Sequence, residues 1–206
     1  MKETLAKKVY EQVKDDIVNL NYGINEMLSE QMTATRYNVS KTTAREALSL
    51  LCKDGYLVKY PSRGYFIKEV GEKEFLEIVD IRLIIEMAVA EIIIEKSSDE
   101  EIKSLYNFVG TESVTRENFY EYNRNFHYQL AVLTKNQKMA GILYDLVCSI
   151  SRPWSYLNFE KSAEQLQNEH KNIVDALLER NNEKVKELLK ADIVPKSRLP
   201  RGLFGI

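Results

Sequence analysis

The chain has two histidines, His127 and His170, and both fall inside apolar helical stripes. Asn123 and His127 are four residues apart, in register with Phe119, Phe126 and Leu130, so they share one largely apolar helix face. His170 belongs with Leu166, Ile173, Val174 and Leu177, and Asp192 with Val185, Leu188 and Leu189. Three helices therefore each turn polar groups toward a core. Burying a polar group without a partner costs roughly 2 kcal/mol or more; mutual pairing, water or a metal would each supply that partner. One histidine on an apolar stripe is most simply a satisfied core residue, but four such groups on three helices predict a shared site. Two imidazoles and a carboxylate suit a divalent metal (Zn, Ni, Mn or Fe), and ligand softness does not choose among these. Arg82 lies on another apolar helical run. It is placed either to hold a ligand carboxylate or to pair with Glu86 one turn on.

A second constellation begins at Val39, in "VSKTTAREALSLLCKDGYLVKYPSRGYFIKEV". Ser40 is an N-cap candidate for a helix from about Lys41 to Lys53. Ala44, Ala47, Leu48, Leu51 and Cys52 form its apolar stripe, and Gly55 stops it. Lys41 and Arg45 lie one turn apart on the opposite face, where both can donate to guanine O6 and N7. The hydroxyls of Ser40, Thr42 and Thr43 and the free N–H groups of the helix start can hold phosphates. "YLVKY" and "YFIKE" are short β-rich runs joined by "PSRG", a turn that presents Arg63 beside Gly64. Arg63 suits a phosphate or the minor groove, and Gly64 lets the backbone approach a duplex. Arg36, at the end of the preceding short helix, is a further phosphate candidate. A basic pair alone would be a solvated helix face; the cap, turn and Arg-Gly wing together point to DNA.

These residues need elements to position them. Leu5, Val9, Val13, Ile17 and Leu20 predict a helix over about 3–20. "NYGINEM" breaks it, and Ser29 opens a short helix to about Tyr37. With the capped helix and the hairpin, residues 1–70 read as a winged helix-turn-helix. From Glu72 the periodicity is helical only, over about 73–96, 98–110, 115–134, 136–151, 153–179 and 181–193. Ser98 with Glu101 forms a capping box. The fold class expected is mainly α: a winged helix-turn-helix (1–70), an all-α bundle of about six helices (71–195) and a loosely ordered tail (196–206).

Bulk properties agree. The chain has 206 residues and net charge -2, so the surface as a whole is not a polyanion binder. Residues 1–70 carry 11 Lys and Arg against 9 Asp and Glu, and the remainder 18 against 22, so the basic excess sits at the front. Cys52 and Cys148 are far apart and predict packed, reduced thiols. The most apolar run, Ile78 to Ile94, is interrupted by Asp80, Arg82, Glu86 and Glu91, which excludes a membrane span. A cytoplasmic location without membrane association follows.

The segment quoted above resembles the DNA-binding half of the GntR family of bacterial transcription regulators, across nearly all of residues 5–70. Lys41 stands where the family usually has Arg, Gln31 where many members have Arg, and Arg45, Thr43 and Gly64 fall where members contact DNA. "DIRLIIEMAVAEIII", "NRNFHYQL" and "EHKNIVDALLERNNEKVKELLKADI" are similar to the FCD ligand-binding domain of the FadR-like branch. Metal-binding members carry an Asp-x-x-x-His pair and two further histidines. Asn123 then stands at the Asp, His127 and His170 at two His positions, and Asp192 at the last. The resemblance implies a homodimeric regulator on a pseudo-palindromic double-stranded operator, acting as a repressor. Its helical domain would bind a small effector, such as an organic acid, near Arg82, His127 and His170, with or without the metal. Such a protein is not an enzyme. The alternatives are a metal-dependent hydrolase built on His127, His170 and Asp192, for which no P-loop, nucleophile elbow or HExxH is present, and a dimeric DNA-binding protein with no effector.

Overall fold

The computed structural model describes residues 4–23, 26–109, 119–151 and 163–195. The chain separates into two compact units, Met1–Glu69 and Val70–Ile206.

In the first unit, α1 (Leu5–Val18) is capped by Thr4 and buries Val9, Val13 and Ile17 at i, i+4 spacing. Ser29 caps α2 (Glu30–Arg36), its Oγ accepting from Met32 N at 3.1 Å. Asn38 turns the chain at φ 51, a left-handed position that asparagine tolerates. The recognition helix α3 (Lys41–Lys53) follows, capped by Ser40, and buries Ala44, Ala47, Leu48 and Leu51. At its end Gly55 takes φ 80, Gly55 N bonds Cys52 O and Tyr56 N bonds Leu51 O. This is a Schellman close, which aims the chain into the sheet. Strands β2 (Leu57–Tyr60) and β3 (Gly64–Ile67) pair antiparallel with Val58 opposite Phe66.

A third strand was not expected. β1 (Met27–Leu28) pairs with the outer edge of β3, giving the order β1-β3-β2. Two residues are too few to show a period of two, so the segment reads as a loop in sequence. Gly64 makes this pairing possible: it sits at φ 101, and a Cβ there would lie 3.0 Å from Leu28 O. Val9, Val13, Ile17, Tyr22, Leu28, Ala47, Leu48, Leu51, Leu57 and Tyr65 close one core around helices and sheet. This is a winged helix-turn-helix.

The described residues of the second unit are helical. They form α4 (Glu72–Lys96), α5 (Asp99–Lys103), a 3-10 turn (Ser104–Phe108), α6 (Phe119–Leu133), α7 (Gln137–Ser149), α8 (Ala163–Leu178) and α9 (Asn182–Ile193). The single helix expected over 98–110 is therefore an α-turn and a half that tightens into 3-10. Ser104 donates its hydroxyl to Glu101 O at the junction, a local bond that competes with helix continuation. The helical expectations over 115–118 and 153–162, and the tail 196–206, lie outside the described residues. The long helix α4 packs against α6, α7, α8 and α9. Arg180, at φ 54 in the α8–α9 link, clamps the far end of α4 by donating to Ile94 O at 3.0 Å and to Asp99. α4, α6, α8 and α9 thus present their inward faces to one another.

Candidate functional site

The DNA-facing candidates all lie in the first unit. Ser40 Oγ accepts from Thr43 N at 3.1 Å and lies 2.8 Å from Thr43 Oγ1, so both hydroxyls take part in the cap. Lys41, Thr42 and Arg45 are exposed on the first turns of α3. Arg63 is exposed in the β2–β3 turn, its guanidinium 5.9 Å from the Phe66 ring. Arg36 donates to Asp16 at 2.8 Å and lies over the Tyr22 ring at 4.7 Å, leaving 45% of its side chain exposed. Arg45 is held by two parallel bonds, Nε to Glu30 Oε1 and Nη2 to Glu30 Oε2, both 2.9 Å. Nothing in the sequence tied Glu30 to Arg45. As the first residue of α2 it reads as an acidic complement to the helix dipole.

In the second unit six polar residues come together in the interior. Arg82 and Glu86 lie on α4, Asn123 and His127 on α6, His170 on α8 and Asp192 on α9, and all are buried. Arg82 Nε donates to Glu86 Oε1 at 2.6 Å. The other Glu86 oxygen lies 2.6 Å from His127 Nδ1. His127 Nε2 lies 3.0 Å from Asp192 Oδ2. The His170 ring stacks on Phe126 at 3.9 Å between centroids and stands nearly perpendicular to His127 at 5.3 Å. One ligand atom from each of His127, His170 and Asp192 lies within 4.8 Å of the others. Asn123, one turn before His127, has neither side-chain atom hydrogen-bonded among the described residues, and Arg82 Nη2 is likewise without a bond there.

The electrostatics follow from this packing. Burial alone would raise the Glu86 pKa, but the charges of Arg82 and His127 hold it below the usual carboxylate range. Burial alone would lower that of His127. Glu86 opposes this, Arg82 works against Glu86, and the contacts with Asp192 and Glu86 carry the balance upward. Glu86 also fixes the imidazole. With Nδ1 turned to a carboxylate, Nε2 is the atom presented to Asp192 and to any ion, the carboxylate–histidine arrangement found behind metal ligands. Sequence reasoning placed Glu86 only as an i+4 partner of Arg82, because its second contact crosses 41 residues.

Profiles of known families decide the wider identity. The FCD domain matches residues 77–194, and the description "Bacterial regulatory proteins, gntR family" matches residues 5–67. The chain belongs to the GntR family of transcriptional regulators, with an FCD domain. Among relatives of this GntR regulator, YdhC of Bacillus subtilis, an HTH-type transcriptional regulator, is 28% identical over 86% of this chain and 83% of its own. The HTH-type transcriptional repressor RspR of Escherichia coli is 26% identical over 91% and 85%. The structure of E. coli McbR/YncC superposes with a TM-score of 0.78 over 93% and 94% of the two chains at 18% identity. A GntR regulator of Rhodococcus sp. RHA1 gives 0.73 over 91% and 93%, also at 18%. These likenesses show the fold. No helix among the described residues is long and apolar enough to cross a membrane.

Proposed function

We propose that this regulator is a homodimeric, cytoplasmic repressor whose FCD domain binds a small carboxylate-bearing effector together with a divalent metal. The observation that supports the effector site is the convergence of His127, His170 and Asp192, with the Asn123 side chain and Arg82 Nη2 buried and without a hydrogen bond among the described residues. Two imidazoles and a carboxylate fit Zn, Ni, Mn or Fe, and Asn123 would add a neutral oxygen. Arg82 would pair with the effector carboxylate. The metal would hold one end of a chelating effector. Asn123 replaces a charged ligand with a neutral one, so metal alone binds weakly and metal with effector binds well. Repression is the role carried in the printed name of RspR. At the DNA, Thr42 and Arg45 would meet base edges, Lys41 would add charge at the start of the helix, and Ser40 and Thr43 would hold the register. Arg36, Arg63 and the backbone at Gly64 would contact phosphates. Binding transmits a signal to the extent that the effector prefers one of two arrangements of the operator-bound dimer.

Elemental analysis of protein purified without chelator, with thermal unfolding in EDTA and in added Zn, Ni or Mn, tests this. A ligand at a hundred times its Kd stabilises by about 2.7 kcal/mol, a rise of roughly 5–10 °C for a chain of this size. The rise is expected with metal plus a di- or tricarboxylate, and its loss in His127→Ala and His170→Ala. No metal and no shift under any of these conditions would leave an organic-ligand pocket only.

A further inference from the structure

The Glu30–Arg45 fork reaches further than a surface ion pair. Glu30 occupies the first position of α2 and Arg45 the second turn of α3. The carboxylate takes Arg45 Nε and Nη2 at 2.9 Å each, the side-on edge of the guanidinium. That edge is thereby occupied. The end-on edge, Nη1 with the second hydrogen of Nη2, lies outside the fork on a side chain that stays 60% exposed. The end-on edge offers the two parallel donors that match O6 and N7 of guanine. Glu30 is itself steadied from the sheet: the hydroxyl of Tyr65, a residue buried in β3, lies 3.4 Å from the Oε1 that also accepts from Arg45 Nε. One carboxylate thus joins α2, α3 and the wing sheet at the arginine placed to read a base. An exposed pair of this kind adds little stability, whereas locking a long flexible cation in one orientation lowers the ordering cost of binding.

We infer that Glu30 is a specificity-determining positioning residue: it holds the Arg45 guanidinium with its end-on edge toward the major groove, so that Arg45 reads guanine rather than gripping phosphate at any sequence. The inference rests on the DNA-reading assignment of Arg45. Without Glu30 the arginine is released and the site loses a negative charge. Affinity for arbitrary duplex then holds or rises while base discrimination falls. A purely structural role would instead lower stability and weaken binding to all duplexes together.

The test is selection from a randomised duplex library with the full chain as wild type, Arg45→Ala, Glu30→Gln and Tyr65→Phe, alongside thermal unfolding. Glu30→Gln keeps shape but presents an amide N–H to one of the two arginine donors, so the fork cannot form. Wild type should enrich a half-site in which Arg45→Ala erases one guanine. Glu30→Gln should lower the preference for that same guanine at least fivefold, with unrelated duplex bound at least as tightly and the midpoint within about 2 °C. Tyr65→Phe should give an intermediate loss. A Glu30→Gln preference within twofold of wild type overturns the inference, and so does an equal loss on all duplexes accompanied by a lower midpoint. If wild type enriches a site but Arg45→Ala erases no position in it, Arg45 is not a base reader and the inference falls with that assignment. A wild type that enriches nothing defeats the DNA-reading assignment itself.

Discussion

Single residues carry the sharpest consequences. Arg45 projects from the start of a capped helix and is already oriented by Glu30. Arg45→Ala should weaken operator binding tenfold or more, on the scale of about 1–3 kcal/mol for a base contact; gel-shift titration of the folded variant reads this. Glu86 is the corresponding hinge of the buried layer, since one carboxylate answers both Arg82 and His127 at 2.6 Å. Removing one member of a buried ion pair strands the other, at about 3–5 kcal/mol. Glu86→Gln should therefore lower chemical-denaturation stability by that order. A loss under 1 kcal/mol would mean that Arg82 re-pairs elsewhere without cost.

The recognition helix and wing act as surfaces. Lys41 at the first position of α3 and Arg63 in the β2–β3 turn are exposed, so each should supply charge rather than base recognition. Neutralising either one should flatten the dependence of log affinity on log salt by about one unit, almost uniformly across sequences. Unchanged slopes for both would place them in solvent. The wing keeps its shape through Gly64, whose left-handed backbone lets β1 lie against β3. That gives the glycine a role inside the fold beside the close approach to DNA expected of it.

For the whole molecule, the proposed dimer needs a surface that brings two reading heads to one operator. Helix α4 turns Phe75, Val79, Val89, Ala90 and Ile93 inward, yet leaves Leu76, Ile81 and Ile84 exposed, Ile84 at 69%. Leu76 and Ile84 are eight residues apart and Ile81 three before Ile84, so they share one exposed stripe, apolar except for Asp80 between Leu76 and Ile84. A second copy covering that stripe would account for it. Ile84→Glu should then shift sedimentation from dimer to monomer and lower operator affinity, because only one half-site is held. A variant that stays dimeric moves the contact elsewhere.

By itself the sequence determined the kind of element at almost every step, because each signal is local. Ser29, Ser40 and Ser98 cap the helices that follow them, Gly55 ends α3, and Val9, Val13 and Ile17 repeat at helical spacing. It also put Asn123, His127, His170 and Asp192 on inward faces, since facing is a matter of period. What periodicity cannot carry is distance between elements. The two-residue β1, the Glu30 fork and the second contact of Glu86 join positions 15 to 41 residues apart, and no spacing rule relates them. Only the packing of α4, α6, α8 and α9 decided that His127, His170 and Asp192 lie within 4.8 Å of one another. Only the closing of α2 on α3 and the sheet decided which carboxylate holds Arg45, because a side chain finds such partners after its helix has been placed.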